Sequence, residues 1–312
     1  MKKRKAIVFG GLGFIGLKIV EKLCLNNFEV DIIDIKSDQK LSKKLKKIYG
    51  NLIKIKLLDL SKNNFFKKLK YNNYDLIFDC AAFLGVDRII NKSYESLRNN
   101  LLITLNISLF AKKQKKLKKI IFMSSSEVYD GSLRNKIFKP PNKEDSILSI
   151  SQLDQNHPRT VYMLTKIAGE LIYINSKLPY LNLRLHNVFG PRMYSRHGIP
   201  TFIKKFSTKK KIINVFNKNH IRSYLYIDDA MDQIIKLTFS KKAVFSTYNI
   251  GSDKNVYTNY HIASLIKKLM NSNSKILFKN DKKNSVNYRK PSLNKLKKII
   301  KIRKSMSFED QL

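Results

Sequence analysis

The sequence predicts an α/β protein with a doubly wound parallel sheet, followed by a smaller C-terminal α/β lobe. Over residues 1–190, short β-rich runs alternate with amphipathic helical segments, which is typical of a parallel sheet with helices on both faces. A chain of 312 residues, 43% of them hydrophobic, can bury a large core. We therefore expect residues 1–190 to form one domain and residues 191–312 a smaller lobe, whose segments can interleave with the first.

Each element of the first domain is predicted from its apolar pattern. The predicted elements are, in order, the strand Ala6–Phe9, the helix Ile15–Leu25, the strand Glu29–Asp34, the helix Gln39–Ile48, the strand Leu52–Leu58, the helix Lys62–Leu69, the strand Leu76–Cys80, the helix Tyr94–Ala111, the strand Lys119–Ser124, the helix Val161–Asn175 and the strand Leu181–His186. The segment Asp130–Arg159 contains three prolines among polar residues and is predicted to be a long loop. Loops of that length inside a compact domain are usually functional.

The pattern is weaker in residues 191–312. The predicted elements there are the helices Pro200–Ser207, Asp229–Phe239, Asn259–Met270 and Leu293–Ile300, with the strands Arg222–Ile227 and Thr247–Ile250. We expect the ligand site to lie at the seam between this lobe and the first domain, because binding sites favour such junctions.

The chain carries 62 lysine and arginine residues against 23 aspartate and glutamate residues, a net charge of +39. Such a surface supplies sequence-independent affinity for phosphates, so one interpretation is nucleic-acid binding. However, only 11 of the 62 basic residues are arginine, asparagine and isoleucine are abundant, and tryptophan is absent. AT-rich codons encode that composition, whereas nucleic-acid binders usually interleave arginine and aromatic residues with their lysines. We favour compositional drift and expect no specific nucleic-acid partner.

The two cysteines, Cys24 and Cys80, both lie in apolar runs. They cannot form a disulfide framework or a four-ligand zinc site, so we expect packing thiols, no metal and a cytoplasmic location. No apolar stretch reaches the roughly 18 residues that a spanning helix needs, so we expect no membrane insertion. The basic start of the chain imitates a signal peptide, but glycines interrupt the apolar run behind it, and we expect none.

A glycine-rich turn joins the first predicted strand to the first predicted helix, with Gly10, Gly13 and Gly16 three residues apart. Glycine lets backbone N–H groups and a helix N-terminus approach a pyrophosphate. Asp34 ends the second predicted strand about 20 residues later, where a carboxylate can accept a hydrogen bond from a ribose hydroxyl. The sequence thus predicts a Rossmann dinucleotide site. Because Asp34 would repel a 2′-phosphate, NAD is favoured over NADP, although Lys36 lies close by.

A second group of candidate functional residues combines the end of a strand with the start of a later helix. Ser124-Ser125-Ser126 closes a predicted strand, and Tyr162 and Lys166 lie at i and i+4 near the start of a predicted helix, on one helical face. An ammonium near a phenol favours the phenolate and lowers the pKa of the tyrosine. Such a tyrosine can remove a hydroxyl proton while a hydride leaves the same carbon for nicotinamide.

These motifs, in this order, resemble an extended short-chain dehydrogenase/reductase of the NAD-dependent epimerase/dehydratase family, which acts on nucleotide sugars. The resemblance covers nearly the whole chain. It rests on Gly10–Gly16, Asp34, Leu58–Leu60, Ala81-Ala82, Asn100, Thr104, Ser124–Tyr129, Tyr162–Lys166, Leu183–Arg192, Arg222–Asp229, Tyr248–Gly251 and Arg289–Ser292.

For the cofactor, the resemblance implies that NAD is held by Gly10, Gly13, Phe14, Ile15, Gly16, Asp34, Asp59, Leu60, Ala81, Ala82, Tyr162 and Lys166. Among these, the glycines would hold the pyrophosphate, Asp34 the adenosine ribose and Asp59 the adenine edge. Members of the family commonly dimerise through the helices predicted at Tyr94–Ala111 and Val161–Asn175, so we expect a homodimer.

For the chemistry, the resemblance implies that Tyr162 is the catalytic base, Lys166 its partner and Ser125 the residue that orients the reacting hydroxyl. The nucleotide-sugar substrate would be held by Ser125, Ser126, Asn187, Arg192 and Arg222. An arginine also suits this task on physical grounds, because its planar guanidinium matches phosphate oxygens.

The residues after Ser125 distinguish the reactions of the family. Its sugar 4,6-dehydratases carry Asp-Glu there, whereas this chain has Ser126-Glu127, which argues against a dehydratase. We expect an NAD-dependent nucleotide-sugar epimerase that acts at C4 through a transient keto sugar. The alternative is a decarboxylase of the UDP-glucuronate type, in which Glu127 is catalytic and assists loss of a neighbouring carboxyl group. Glu127 could also be structural and pair with a lysine.

A hypothesis of another class is a catalytically idle NAD-binding protein, recruited to its partner by the basic surface. The retention of Ser125, Tyr162 and Lys166 argues against it. Two departures from the family's pattern leave the identity of the sugar open. His186 stands where the family often has an aromatic residue, and Asp130-Gly131 replaces the usual glycine after Val-Tyr.

Overall fold

The computed structural model describes residues 4–62, 65–69, 73–83, 91–150, 158–194, 198–208, 210–280 and 286–312, with the side chains of residues 158 and 159 outside the description. Its strands are β1 (Arg4–Phe9), β2 (Phe28–Asp34), β3 (Ile53–Leu57), β4 (Leu76–Asp79), β5 (Lys119–Ser125), β6 (Tyr180–Leu185), β7 (Val188–Phe189), β8 (Ile212–Phe216), β9 (Ile221–Ser223), β10 (Leu225–Tyr226), β11 (Ser246–Ile250), β12 (Val256–Thr258), β13 (Lys275–Lys279) and β14 (Tyr288–Arg289). The predicted doubly wound parallel sheet is confirmed. Seven strands lie in the order β11-β6-β5-β4-β1-β2-β3, and every neighbouring pair is parallel.

The described helices cover both faces of this sheet. They are α1 (Phe14–Leu25), α2 (Gln39–Tyr49), α3 (Ser93–Lys112), α4 (Asp130–Arg134), α5 (Pro158–Asn175), α6 (Gly198–Phe206), α7 (Ile227–Phe239), α8 (Asn259–Leu269) and α9 (Asn294–Lys297). The helices α1 and α7 pack together on one face, and α3 and α5 pack together on the other.

The alternation of side chains along the central strands explains the two layers. In β1, Ala6 and Val8 join a buried cluster that includes residues of α1 and α7, whereas Ile7 and Phe9 join a second cluster with residues of α3 and α5. Both faces of the strand are therefore apolar, which is the pattern of a parallel sheet covered on both sides.

The C-terminal part of the chain contributes to both the sheet and the smaller lobe. The strand β11 is an edge strand of the central sheet and pairs with β6. The lobe contains the small sheets β12-β9-β14 and β13-β8, and β10 pairs with β7 beside them. A third apolar cluster lies under this lobe and includes Phe202 of α6, Val215 of β8 and Ile262 of α8. The division of the chain at residue 190 stays a prediction.

Four of the predicted elements are wrong in detail. The helix predicted at Leu293–Ile300 covers only Asn294–Lys297. The helix predicted at Lys62–Leu69 is a single 3₁₀ turn over Phe65–Lys68 in its described part, because burying Phe65 and Leu69 needs one turn only. The strand predicted at Arg222–Ile227 is divided into β9 and β10, because Tyr224 donates its backbone N–H to the carbonyl of Asn255. The loop predicted at Asp130–Arg159 begins with α4, and its residues 151–157 lie outside the described residues.

Candidate active site

One cavity of about 790 Å³ lies at the carboxyl ends of the central strands, between the sheet and the smaller lobe. Its wall includes the glycine turn after β1, the ends of β2, β4 and β5, the start of α5, and residues of the lobe near β8, β9 and β14. Ligands of doubly wound proteins bind at this edge of the sheet, because the strand ends and helix N-termini converge there.

The glycine turn has the shape of a cradle for a pyrophosphate. The backbone of Gly10 is left-handed, with φ of 75°, and a Cβ there would come within 2.9 Å of the Ala81 backbone. A Cβ on Gly16 would come within 2.2 Å of the Gly10 carbonyl oxygen. Side chains are therefore excluded from the turn, and the N-terminus of α1 faces the cavity through Gly13 and Phe14. The glycine turn and the N-terminus of α1 therefore suit the binding of the phosphate groups of a dinucleotide.

Two carboxylates lie farther along the same wall. Asp34, at the end of β2, accepts hydrogen bonds from the backbone N–H groups of Leu12 at 3.0 Å and Ile35 at 2.8 Å. Asp59 accepts one from the Ser61 hydroxyl at 2.6 Å. Both carboxylates are thereby fixed at the cavity wall, where a ribose hydroxyl or a base amine can donate to them.

The structure brings together the residues predicted to perform the chemistry. Ser125 ends β5, Tyr162 lies on α5, and the Ser125 hydroxyl acts to lower the pKa of Tyr162. Ser125 also accepts a hydrogen bond from the Glu127 backbone N–H at 3.2 Å. Both hydroxyl groups belong to residues of the cavity wall, so one sugar hydroxyl can contact both.

The expected effect of Lys166 on Tyr162 is not found. Burial raises the pKa of Tyr162 above its usual value, the charge of Glu127 raises it further, and the hydrogen bond with Ser125 lowers it only in part. Lys166 donates its hydrogen bond to the Met123 carbonyl, and its ammonium lies 5.7 Å from the centre of the Tyr162 ring. These effects together favour the protonated form of Tyr162.

Asp79 is a residue of this site that the sequence reasoning missed. It ends β4 next to the cavity wall, is fully buried, and accepts a hydrogen bond from Tyr173 at 2.7 Å. Burial raises the pKa of Asp79 to about 6, and the Tyr173 hydroxyl and the Lys166 charge oppose that rise. Burial lowers the pKa of Lys166, and the charge of Asp79 opposes this effect. The sequence did contain a signal for Asp79, because an acidic residue inside an apolar strand is unusual.

Glu127 lies in the cavity wall and is held by an ion pair. Arg289, at the end of β14, donates from Nη1 to Glu127 Oε1 at 2.8 Å, and from Nη2 to the carboxylate of Asp130. The exposed fractions of these side chains are 2%, 16% and 1% for Arg289, Glu127 and Asp130. Among the described ion pairs, Glu127 is therefore bound by an arginine from the far end of the chain.

A buried polar network supports the site from behind. Arg184 of β6 forms a two-pronged ion pair with Glu170 of α5, at 2.9 and 2.7 Å, and donates to the Tyr129 hydroxyl at 2.8 Å. The Tyr129 hydroxyl donates to Asn249, which also contacts His186 at 3.1 Å. Burial lowers the pKa of His186 to about 3, so this residue is neutral and serves the network.

The residues predicted to hold the substrate divide into two groups. Ser126, Asn187 and Arg222 line the cavity. Arg222 nevertheless donates three hydrogen bonds to the backbone carbonyls of Ile221, Val286 and Asn287, which fix its guanidinium in the lobe. Arg192 is not part of the described cavity wall. It pairs instead with Asp38, before α2, at 3.2 Å.

Among the described residues, no group of three or more histidine, cysteine, aspartate or glutamate side chains is arranged to hold a metal ion. Within the described ranges, no helix has both the length and the apolar character that crossing a membrane requires. Cys24 and Cys80 are unpaired, and burial raises the pKa of both thiols.

Comparison with known proteins relates most of the chain to one family. A sequence model described as the NAD dependent epimerase/dehydratase family matches residues 6–251. The UDP-N-acetyl-alpha-D-glucosaminuronate decarboxylase of Bacillus cytotoxicus is 30% identical, with 99% of this chain and 96% of that protein covered. The dTDP-D-glucose 4,6-dehydratase of Dictyostelium discoideum is 31% identical over 80% of this chain and 58% of its own length.

Solved structures share the fold over the full length. The UDP-glucuronic acid 4-epimerase of Bacillus cereus, in complex with UDP-glucuronic acid and NAD, gives a TM-score of 0.83 at 23% identity, with 98% of this chain and 96% of that chain covered. The UDP-N-acetylglucosamine 4-epimerase of Methanobrevibacter ruminantium gives 0.81 at 25% identity, with 100% and 96% covered.

Proposed function

The chain belongs to the NAD-dependent epimerase/dehydratase family, and we propose that it is a decarboxylase of a nucleotide-linked hexuronic acid. The family membership makes it an enzyme of nucleotide-sugar metabolism with NAD as its cofactor. The specific reaction is our proposal. Epimerisation was the first expectation from the sequence, and the position of Glu127 moves the preference to decarboxylation.

The observation that carries this proposal is the Glu127 carboxylate in the cavity wall. Tyr162 lines the same cavity, and the charge of Glu127 raises the pKa of its hydroxyl. Arg289 holds it there by a 2.8 Å ion pair. The decarboxylase from Bacillus cytotoxicus, which matches almost the full length of both chains, supports the same reaction.

The first step is common to every reaction considered. Tyr162 accepts the proton of the sugar 4-hydroxyl, while the Ser125 hydroxyl holds the same oxygen in place. Bound NAD supplies a hydride acceptor at the reacting carbon and the positive charge of its nicotinamide ring. The Tyr162 phenol must lose its own proton before it can accept that of the sugar, and the buried ammonium of Lys166, 5.7 Å from the centre of the Tyr162 ring, places positive charge near this phenolate.

The second step follows from the ketone at C4. In a 4-keto hexuronate, C6 is the carboxyl carbon of a β-keto acid. The C5–C6 bond breaks, carbon dioxide leaves, and the electron pair spreads from C5 onto the C4 oxygen. Tyr162, which now carries the proton, donates a hydrogen bond to that oxygen. C5 then accepts a proton, and return of the hydride to C4 gives a nucleotide-linked pentose. The carboxylate of Glu127 favours loss of the neighbouring carboxylate as a neutral molecule.

The substitution Glu127→Gln tests this role. It preserves the size of the side chain and removes its charge. We expect carbon dioxide release from a UDP-hexuronate to fall by about 10²-fold or more, while oxidation at C4 persists and reduced nicotinamide accumulates. Release of carbon dioxide at the rate of the unaltered enzyme would contradict the role of Glu127.

The second candidate is the 4-epimerase expected from the sequence. The hydroxyl groups of Ser125 and Tyr162 in the cavity wall support it, because oxidation and reduction at C4 need no carboxylate from the protein. The product separates the two candidates, since an epimerase keeps all six carbons of the sugar.

We also propose a homodimer formed through α3 and α5 and located in the cytoplasm. These two helices pack together and present large apolar side chains to the outside, with exposed fractions of 43%, 50%, 52% and 43% for Leu105, Leu109, Leu171 and Ile174. Covering them would stabilise the association of two chains. The protonated, unpaired thiols of Cys24 and Cys80 agree with a reducing compartment.

A further inference from the structure

Arg192 links two segments of the chain that border the cavity. Its Nη2 donates to Oδ2 of Asp38 at 3.2 Å, although the two residues are 154 positions apart. Asp38 is the N-cap of α2, and its Oδ1 accepts a hydrogen bond from the Leu41 backbone N–H at 2.9 Å. This second contact fixes the carboxylate at the start of the helix, where Arg192 meets it.

The ion pair lies just outside the cavity, at the end near Asp34. Residues 34–35, which precede Asp38, and residues 193–194, which follow Arg192, both line the cavity. The two partners do not belong to the described wall, and their side chains are 48% exposed for Arg192 and 44% for Asp38. The ion pair therefore joins two segments of the wall from the solvent side, where Asp34 would hold the ribose of NAD.

The backbone at Arg192 is a second observation that points to a role for its side chain. Met193 donates its N–H to the Gly190 carbonyl at 3.2 Å, which closes a turn with Pro191 second and Arg192 third. The backbone of Arg192 is left-handed, with φ of 68°. The third position of such a turn favours glycine or asparagine, and other residues are strained there. The turn itself does not need an arginine, whereas the contact with Asp38 does.

The exposure of the ion pair suits a contact that opens and closes. The Leu41 N–H and the Arg192 guanidinium hold the pKa of Asp38 below its usual value, so both partners are charged at neutral pH. An exposed ion pair is weak and is screened by salt, whereas a buried one is far harder to break. The link between the two wall segments can therefore open to let a cofactor pass and then form again.

We propose that the ion pair of Arg192 and Asp38 is a latch that closes the adenosine end of the cofactor site and slows the exchange of NAD. The latch gives Arg192 a role toward the cofactor, where the family resemblance implied a contact with the substrate. Retention of NAD suits every reaction considered above, because the cofactor that accepts the hydride must still be bound when the hydride returns. The inference depends on NAD binding and not on which sugar is formed.

The test measures how fast bound NADH leaves the protein. The protein is loaded with NADH and mixed with an excess of NAD, and the decay of NADH fluorescence gives the dissociation rate with no sugar present. Two variants each remove one partner. Arg192→Asn keeps a residue that tolerates the left-handed backbone, and Asp38→Asn keeps an oxygen that can cap α2. We expect each to raise the dissociation rate about two- to fivefold, the effect of one exposed ion pair.

The two substitutions change the net charge in opposite directions, which separates the latch from a general attraction. If Arg192 only attracted the negatively charged cofactor, Arg192→Asn would speed the release of NADH and Asp38→Asn would slow it. The latch predicts faster release from both variants, and from the double variant a rate no higher than that of either single one. At about 1 M salt, which screens the ion pair, the rates of the variants and the unaltered protein should converge.

The control is Lys297→Gln, which removes one positive charge and an exposed ion pair with Asp253, away from the described cavity wall. It should leave the dissociation rate unchanged, and thermal unfolding of each variant shows whether the fold is intact. Unchanged or slower release from either Arg192→Asn or Asp38→Asn, or additive effects in the double variant, would overturn the latch. Failure of the decarboxylase proposal would not affect it, since no sugar takes part in this measurement.

Discussion

The ammonium of Lys166 donates a 2.7 Å hydrogen bond to the backbone carbonyl of Met123. This bond fixes the lysine against β5, with its charge 4.6 Å from the centre of the Phe122 ring and 5.7 Å from that of Tyr162. The ammonium of Lys166 therefore lies beside the ring of Tyr162, and its 2.7 Å hydrogen bond goes to the backbone of β5 and not to the Tyr162 hydroxyl. The side chains of Ser125 and Tyr162 both line the cavity, where they can meet the substrate.

The substitution Tyr162→Phe should abolish turnover and preserve NAD binding. The phenol is the proton acceptor, so we expect kcat to fall by about 10²–10⁴-fold. The cradle of Gly10 and Gly16 is unaffected, so calorimetry should give the same NAD affinity. A function that survives this substitution unchanged would favour the idle NAD-binding protein instead.

The substitution Asp79→Asn should change the pH dependence of stability. The folded pKa of Asp79 is about 6, above its ordinary value of 3.8, so the folded protein binds the proton more tightly than the unfolded chain. The stability that this residue contributes is therefore present below pH 4 and lost as the pH rises through 6. Relative to the unaltered protein, Asp79→Asn should gain up to about 3 kcal/mol at pH 7 and nothing at pH 4.

Urea unfolding between pH 4 and pH 7 measures this difference, and Asp75→Asn is its control. Burial raises the pKa of Asp75, but the hydrogen bonds from Lys5 and Lys118 outweigh that effect and lower it. Asp75→Asn should therefore change little relative to the unaltered protein between pH 4 and pH 7, and its effect of opposite sign should appear only below pH 4, where the unaltered protein loses the stability that Asp75 contributes. If Asp79→Asn changed the free energy of unfolding by the same amount at every pH, burial would not raise the pKa of Asp79.

The substitution Gly16→Ala should disrupt the cofactor cradle. Its Cβ would lie 2.2 Å from the Gly10 carbonyl oxygen, a backbone atom that cannot yield without moving the turn. We expect a loss of about 1–3 kcal/mol of stability and more than tenfold weaker NAD binding. Gly198→Ala, at the start of α6, adds the same methyl group where no atom lies within 4 Å and should cost nothing. Equal NAD affinity in Gly16→Ala and Gly198→Ala would contradict the claim that the glycine turn binds NAD.

The substitution Leu109→Lys should separate the proposed dimer into monomers. It places a charge in the apolar surface of α3, where half of the Leu109 side chain is exposed. Light scattering after size-exclusion chromatography gives the mass of the species. Leu25→Lys, at the exposed end of α1, adds the same charge away from that surface and should leave the mass unchanged. A monomer before any substitution would eliminate the dimer.

The sequence predicted the central sheet because β1, β4 and β5 are largely apolar on both faces, and because these strands and the alternating strand β2 are separated by amphipathic helices. The small lobe was harder to predict. Its strands β7, β9, β10, β12 and β14 have two or three residues each, too short to show an alternation. The pairing of β11 with the central sheet depends on contacts between distant segments, which no local pattern contains.

The site was predictable where one residue type serves one local purpose, as in the glycine turn. Charge interactions between segments that are distant in sequence were not predictable. Glu127 and Arg289 are 162 positions apart, so their ion pair could not be inferred from spacing. The raised pKa of Tyr162 likewise results from burial, which overrides the effect expected from Lys166 four positions along the helix.

Proton NMR of the NAD-loaded enzyme with UDP-glucuronate, UDP-N-acetylglucosaminuronate, UDP-glucose and UDP-N-acetylglucosamine tests the central claim most directly. The account predicts that a uronic acid is converted to a nucleotide-linked pentose, with carbon dioxide released in equal amount, and that the neutral sugars are unchanged. A new anomeric signal from a six-carbon sugar, reaching the same ratio from either C4 epimer and without release of carbon dioxide, would contradict it and establish the epimerase.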